Sequence, residues 1–324
     1  MRASPPRAAR LLAGLLAVGL AALLPAAPAP RNAGAQEPPA APYAGPLVDA
    51  HAHLDAATPV SADLLLALYD AVGVRGAWLF GAPWSAATDA WQRFPDRVVP
   101  FLAEGYADTL GPASSYRNPD GLDELLRGGY VRGLGEMILR HAPFRLSEAV
   151  GGGAWPAVNV AADDPALLAA YAVAGRHGAP VVVHQEAAYA DELERAVRAS
   201  PNTTFVWAHA GHGPAATLRP LLARYPNLYA DLSARTPWLG PGTVLTRTDG
   251  SLQPEWAALL ADYPDRFLIG FDLFAAGHYR LTYLQDTVGY YRALLGRLDP
   301  ATADRIAHQN AERLAPFAGP STAP

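Results

Sequence analysis

Histidines carry the first chemistry visible in this chain. In the stretch Leu47 to Leu54, which reads LVDAHAHL, His51 and His53 stand one residue apart. On an extended strand such a pair points the same way, because side chains alternate with period two. Two convergent imidazoles suit a metal ion, although an isolated H-x-H recurs by chance. The weight comes from repetition. Glu136 ends the run GLGE, His184 ends VVVH, His209 ends FVWAH and Asp272 ends FLIGFD. Imidazoles and carboxylates at matching depth on several strands would cost several kcal/mol of unsatisfied polarity unless something bound them together. A divalent cation does that.

Two absences narrow the chemistry. The chain has no cysteine, so thiolate ligands, disulfides and a cysteine nucleophile are excluded. All 25 basic residues counted as Lys+Arg are arginine, which removes a Schiff-base lysine, an amine base and a carbamylated bridging lysine. A donor set of His, Asp and Glu fits Zn first, and Mn, Fe or Ni less selectively.

These groups need a frame that brings strand ends together. Short apolar runs alternate with helical patterns from about Pro46 onward, the signature of repeated β-α units around a parallel sheet. The runs expected as strands are 47–49, 76–80, 98–102, 131–136, 180–184, 204–209, 228–232 and 267–272. Helices are expected over 61–72, 122–127, 165–176, 215–223, 255–261, 280–292 and 302–314, with a long irregular stretch over 139–160. Eight such units predict a (β/α)8 TIM barrel, an α/β fold whose functional groups gather at the C-terminal ends of the strands. An open doubly wound sheet should carry a Gly-rich turn after its first strand, and none is present.

The ends of the chain read differently. Arg2, Arg7 and Arg10 precede an apolar run from Leu11 to Leu24, then Ala33-Gly34-Ala35, the layout of a secretory signal peptide over 1–35. A proline-rich flexible spacer follows over 36–45, then the barrel over 46–318 and a tail over 319–324. The expectation is an exported protein, periplasmic or extracellular, without stable membrane insertion once the signal is cleaved. A net charge of −5 gives no footprint for nucleic acid. The expected partner is a small-molecule substrate, and association into a homo-oligomer is left open.

The order H-x-H, His184, His209 and Asp272 resembles the amidohydrolase superfamily of metal-dependent hydrolases. The phrases RYPNLYADLSA around Asn227, WAHAGH around His209 and IAHQNAERL around Asn310 are similar to its amidohydrolase-related branch, which includes aminocarboxymuconate-semialdehyde-decarboxylase-like proteins. The resemblance spans roughly Pro46 to Phe317. It implies that His51, His53, His184 and Asp272 hold a catalytic metal, as one ion or two. It implies also that His209 polarises the substrate or joins a second metal, and that Glu136 stands where some members place a bridging carboxylate. Read from the residues alone, Glu136 binds metal, stabilises a neighbouring histidine or caps the fourth strand. The branch commonly has a small polar residue just before the last Asp; here Phe271 stands there, directed away from the site by alternation.

The resulting expectation is a metal-dependent hydrolase of an ester, lactone, amide or related bond, working through a metal-activated water with Asp272 as proton acceptor and His209 as polarising group. A decarboxylase of a small carboxylic acid on the same barrel is the alternative, and a non-catalytic metal- or ligand-binding protein the second. His212 reads as a substrate contact or a helix cap, His177 as a helix C-terminal group and His308 as structural. Arg140, His141, Arg145, His278 and several aromatics fall in the loops after strands, where they could recognise an anionic or aromatic substrate.

Overall fold

The computed structural model describes residues 40–55, 60–239 and 244–317. The leader expected over 1–35 and the tail over 319–324 lie outside the described residues.

Eight parallel strands follow one another around the sheet in sequence order. They are β1 (Leu47–Asp55), β2 (Val74–Ala82), β3 (Val98–Leu102), β4 (Gly133–His141), β5 (Val181–Gln185), β6 (Phe205–Trp207), β7 (Leu228–Asp231) and β8 (Phe267–Leu268). The last strand returns to the first. Ala50 N–H donates to the Ile269 carbonyl at 2.9 Å and Asp272 N–H to the His51 carbonyl at 2.9 Å, so the sheet closes into the expected barrel.

Helices alternate with the strands: α1 (Ala62–Val72), α2 (Trp84–Arg93), α3 (Pro119–Arg127), α4 (Pro165–Arg176), α5 (Ala190–Ala199), α6 (Ala215–Arg224), α7 (Pro254–Asp262) and α8 (Leu281–Leu295). Where the sequence marks a helix start, the marker works. The Ser61 hydroxyl accepts from Leu64 N–H, and Gly73 ends α1 at φ 71°. Asp164 caps α4, whose first residue is Pro165. Helices α2 and α5 escape the sequence reading, and neither has a side-chain cap to announce it. The expected last helix is divided into Pro300–Asp304, a widened turn Arg305–Gln309 and Asn310–Leu314. Within that turn the Ile306 carbonyl accepts from Ile269 N–H at 3.1 Å, tying the chain's end to the strand-eight segment.

The core has two layers. Outside the sheet, apolar faces such as Leu65, Leu66 and Tyr69 of α1 pack against the strands. Inside the barrel, Val48, Ala50, Trp78, Phe80, Phe101, Val182, Val206 and Leu268 form a second cluster, with Trp78 stacked on Phe101 at 4.9 Å. The interior is filled, which leaves the mouth as the place for a site.

Two irregularities set the orientation of groups at that mouth. The register of β1 on β2 shifts between Asp49 and Ala52. Val48 and Ala50 face inward and Leu47 outward, so strict alternation would send His51 outward with Leu47. The extra residue reverses the phase and turns both His51 and His53 inward. A second shift lies between Leu134 and Met137, where Gly135 takes φ 118°. A Cβ at Gly135 would lie 2.3 Å from the Val182 carbonyl oxygen, so only glycine fits.

Four expectations are corrected here. Strand β4 runs on to His141, supported by antiparallel pairing with Val158–Asn159, so Glu136 lies inside the strand rather than at its end. The stretch beyond it is partly ordered as a small hairpin in which Phe144–Arg145 pairs with Ala154–Trp155. Strand β6 stops at Trp207, before His209. Part of the segment read as a flexible spacer is tied down, because Tyr43 N–H donates to the Arg292 carbonyl at 2.8 Å and its hydroxyl to Asp304 at 2.7 Å.

Candidate metal centre

All six residues singled out from the sequence meet at the C-terminal mouth, arranged around Glu136. Its Oε1 faces His184 Nδ1 at 2.9 Å and His209 Nε2 at 3.1 Å. Its Oε2 faces His51 Nε2 at 3.4 Å and His53 Nε2 at 3.6 Å. Asp272 Oδ1 closes the other side, 3.2 Å from His53 Nε2 and 3.7 Å from His51 Nε2. Two groups with metal-ligand proximity therefore share one carboxylate: His51, His53 and Glu136, and Glu136, His184 and His209.

His184 follows simple alternation, since Val182 faces inward and His184 is next on that face. His209 does not. After Trp207 the backbone passes through left-handed conformations at His209, Ala210, Gly211 and His212, with φ between 49° and 62°. Non-glycine residues rarely adopt this region, and the surroundings hold them there. The buried guanidinium of Arg235 donates from Nη1 to the His209 carbonyl and from Nη2 to the Gly213 carbonyl, each at 2.9 Å. Asp231 Oδ1 accepts from His209 N–H at 3.1 Å, and Ser233 Oγ lies 2.7 Å from His209 Nδ1. Asp272 too has positive φ, at 54°.

Asp231, Ser233 and Arg235 were missed in the sequence. Their signal was present: a carboxylate, a hydroxyl and a guanidinium at period two after the apolar run Leu228 to Ala230, all three buried. Asp231 reaches two histidines of the centre, since besides the His209 backbone its Oδ2 lies 3.0 Å from His51 Nδ1. Asp49 was also given no role. Facing outward, its Oδ1 accepts from His51 N–H and Phe271 N–H at 2.9 Å, and its Oδ2 from the Tyr69 hydroxyl at 2.5 Å. It thereby fastens β1 to the segment carrying Asp272. Phe271 points away from the centre and packs near the Tyr69 and Tyr291 rings.

The electrostatics describe a centre that holds positive charge. Burial opposes ionisation of Glu136, yet His51 and the other surrounding imidazoles hold its carboxyl well below the ordinary range. Burial likewise opposes charge on His51, and Glu136 with Asp231 outweighs it, raising the imidazole well above its usual value. Asp272 is held low against burial, chiefly by His53. Buried carboxylates this close need a cation, whether protons or a metal. His51 marks the place: its Nδ1 is engaged by Asp231, while its buried Nε2 has no hydrogen-bond partner among the described residues and faces the carboxylates. The second nitrogen fixes the tautomer, as carboxylates do behind ligating histidines. The donors present fit a divalent ion.

The other histidines separate. His212 stacks on His209 at 4.8 Å, and His141 lies 4.4 Å from His184, both at the mouth. His278 is buried, its Nδ1 accepting from Phe274 and Ala275 N–H at 3.3 Å. His177 pairs with Asp123 and His308 with Glu312, away from the site.

The family model described as amidohydrolase matches residues 21–317. No curated protein matches the sequence. Among solved structures the chain is similar to an uncharacterized TIM-barrel protein from Bordetella bronchiseptica, at 16% identity over 83% of this chain and 98% of that one, with a TM-score of 0.57. An amidohydrolase from Burkholderia multivorans with bound HEPES is similar at 16% identity, covering 83% and 99%, TM-score 0.56. A probable 2-pyrone-4,6-dicarboxylic acid hydrolase from Acinetobacter baumannii is similar at 14% identity, covering 83% and 98%, TM-score 0.52. These likenesses are of fold. With the family model spanning most of the sequence, the chain belongs to the amidohydrolase family, whose members are typically metal-dependent.

Proposed function

We propose that this protein is an exported metal-dependent hydrolase of ester, lactone or amide bonds, with zinc as the resident metal. The observation that carries the reading is the buried Nε2 of His51, without a hydrogen-bond partner among the described residues and facing Glu136 and Asp272. His51, His53 and Asp272 would hold one ion, His184 with or without His209 a second, and Glu136 would bridge, since each of its oxygens faces a different pair of imidazoles. Divalent zinc would supply Lewis acidity toward a carbonyl oxygen and acidify water at neutral pH.

The chain's own groups then divide the remaining work. Asp272, held ionised by His53, accepts the proton of the attacking water and returns it to the leaving oxygen or nitrogen. His209 Nε2 lies on the same side of Glu136 as His184 and can donate to the carbonyl oxygen as charge develops on it. Ser233 at Nδ1 and Arg235 at the backbone keep that ring in place.

Elemental analysis of the purified protein tests the reading. Two equivalents of divalent metal are expected, falling towards one in Glu136→Gln and to one or fewer in the His51→Ala, His53→Ala double variant. Metal-free active enzyme would overturn it. Assays for carbon dioxide release from small acids, set beside ester, lactone and amide turnover, separate hydrolysis from decarboxylation. Export is tested by N-terminal sequencing of secreted protein, which should begin near Gln36. Among the described residues no helix is long and apolar enough to cross a membrane.

A further inference from the structure

The cleft above the centre has a volume of about 630 Å³, and its walls say what it takes; this inference rests on the hydrolytic reading above. One wall is aromatic. The hairpin rings Phe144 and Trp155 stack face to face at 4.8 Å and 7°. Phe274 stands edge-on to Trp155 at 5.7 Å and to His53 at 6.3 Å, and so links the hairpin to the centre. Flat apolar surface of this kind favours a ring stacked or edge-on.

The charges in the cleft point the same way. Of the arginines at the end of β4 and beyond it, Arg140 is committed outside the cleft, its Nε 2.9 Å from Glu192 Oε2 and its Nη2 2.7 Å from Oε1. Arg145 is the only arginine lining the cleft among the described residues, and its side chain is exposed. Glu104 and Glu186 line the same cleft. They accept from Ser115 N–H at 2.7 Å and Ala142 N–H at 2.6 Å, and neither pairs with an arginine among the described residues. A substrate carrying a carboxylate away from its reacting bond would lose hydration and meet like charge there.

We propose that the cleft selects an uncharged aryl ester, aryl lactone or arylamide, its ring against Phe144, Trp155 and Phe274 and its carbonyl over the centre. In the reaction a bond forms between water oxygen and the carbonyl carbon, and the bond from that carbon to the aryl oxygen or nitrogen breaks. The proton taken up by Asp272 goes to the leaving atom. Water is the only co-reactant.

The test uses the zinc-loaded full protein with phenyl acetate, 4-carboxyphenyl acetate and ethyl acetate. Despite its better leaving group, 4-carboxyphenyl acetate should show kcat/KM at least about tenfold below that of phenyl acetate, from like-charge contact. Trp155→Ala should raise KM for phenyl acetate by about tenfold, the scale of one aromatic contact, with no change for ethyl acetate. Preference for the carboxylated ester, abolished by Arg145→Gln, would overturn the proposal. If no ester is cleaved, the hydrolytic reading fails separately, and calorimetric titration still decides the cleft's preference: benzyl alcohol binding more tightly than benzoate supports the inference, and the reverse order overturns it.

Discussion

His184 on β5 and His209 just past the neighbouring β6 both place a ring nitrogen about 3 Å from the same Glu136 oxygen, and they are held in different ways. His184 lies within β5, and its position follows from sheet pairing and alternation. His209 lies past the end of β6 in left-handed backbone, and reaches the centre only because Arg235, Asp231 and Ser233 hold it there. The same division runs through the whole site. Asp272 keeps the inward phase of Leu268 but does so in left-handed backbone beyond β8, and His51, His53 and Glu136 depend on register shifts. A ligand placed by regular pairing can be changed for its chemistry alone, and one placed by an irregularity brings its supports with it.

That distinction makes predictions of unequal size. Asp272→Asn removes the proton acceptor without touching a support, so turnover should fall by about 10²–10⁴-fold while the melting temperature stays near wild type. Full activity in Asp272→Asn, measured by initial rates at saturating substrate, would break the assignment. Gly135→Ala changes no ligand, yet its Cβ would lie 2.3 Å from the Val182 carbonyl oxygen. A loss of about 3 kcal/mol or more in denaturant titrations is expected for a side chain forced into that backbone, with reduced bound metal. Wild-type stability and metal content would show that the shift is not what aims Glu136.

Arg235→Leu tests the clamp. Two charge-assisted bonds to carbonyls are lost, worth about 3 kcal/mol together, and kcat should fall because His209 is released. A variant equally stable and active would mean that the turn holds itself. The smallest effect belongs to a pair beside the cleft. Arg140 holds the Glu192 carboxyl below its ordinary range. The stabilisation is therefore fully present above the unfolded pKa of about 4.3 and is lost as pH falls through the lowered native value. Between pH 5 and pH 2 wild type should lose about 1 kcal/mol more than Glu192→Gln, after allowing for solvent screening. Parallel acid-denaturation curves would remove that contribution.

The same division governs what could be read from the sequence. The eight-unit rhythm was legible because each strand is a short apolar run, and α1 and α4 were legible through Ser61, Asp164 and Pro165. Helices α2 and α5, which like α6, α7 and α8 have no capping side chain, were not. The six centre residues were legible as residue types following apolar runs. Their orientation was not: alternation carried through β1 would have turned His51 away, and neither register shift leaves a mark beyond Gly135. Asp231 and Arg235 look like ordinary polar residues after a strand, and their importance depends on a turn that forms twenty residues earlier in the chain.

The fastening by Asp49 has a consequence for how the molecule comes into being. That side chain receives the amide of Phe271, a residue 222 positions away, so the first strand of the barrel waits for the last before its outer edge is covered. Contacts this distant in sequence slow folding, and until Phe271 arrives His51 and His53 sit on an open sheet margin. The candidate centre is therefore complete only once the two ends of the barrel have met.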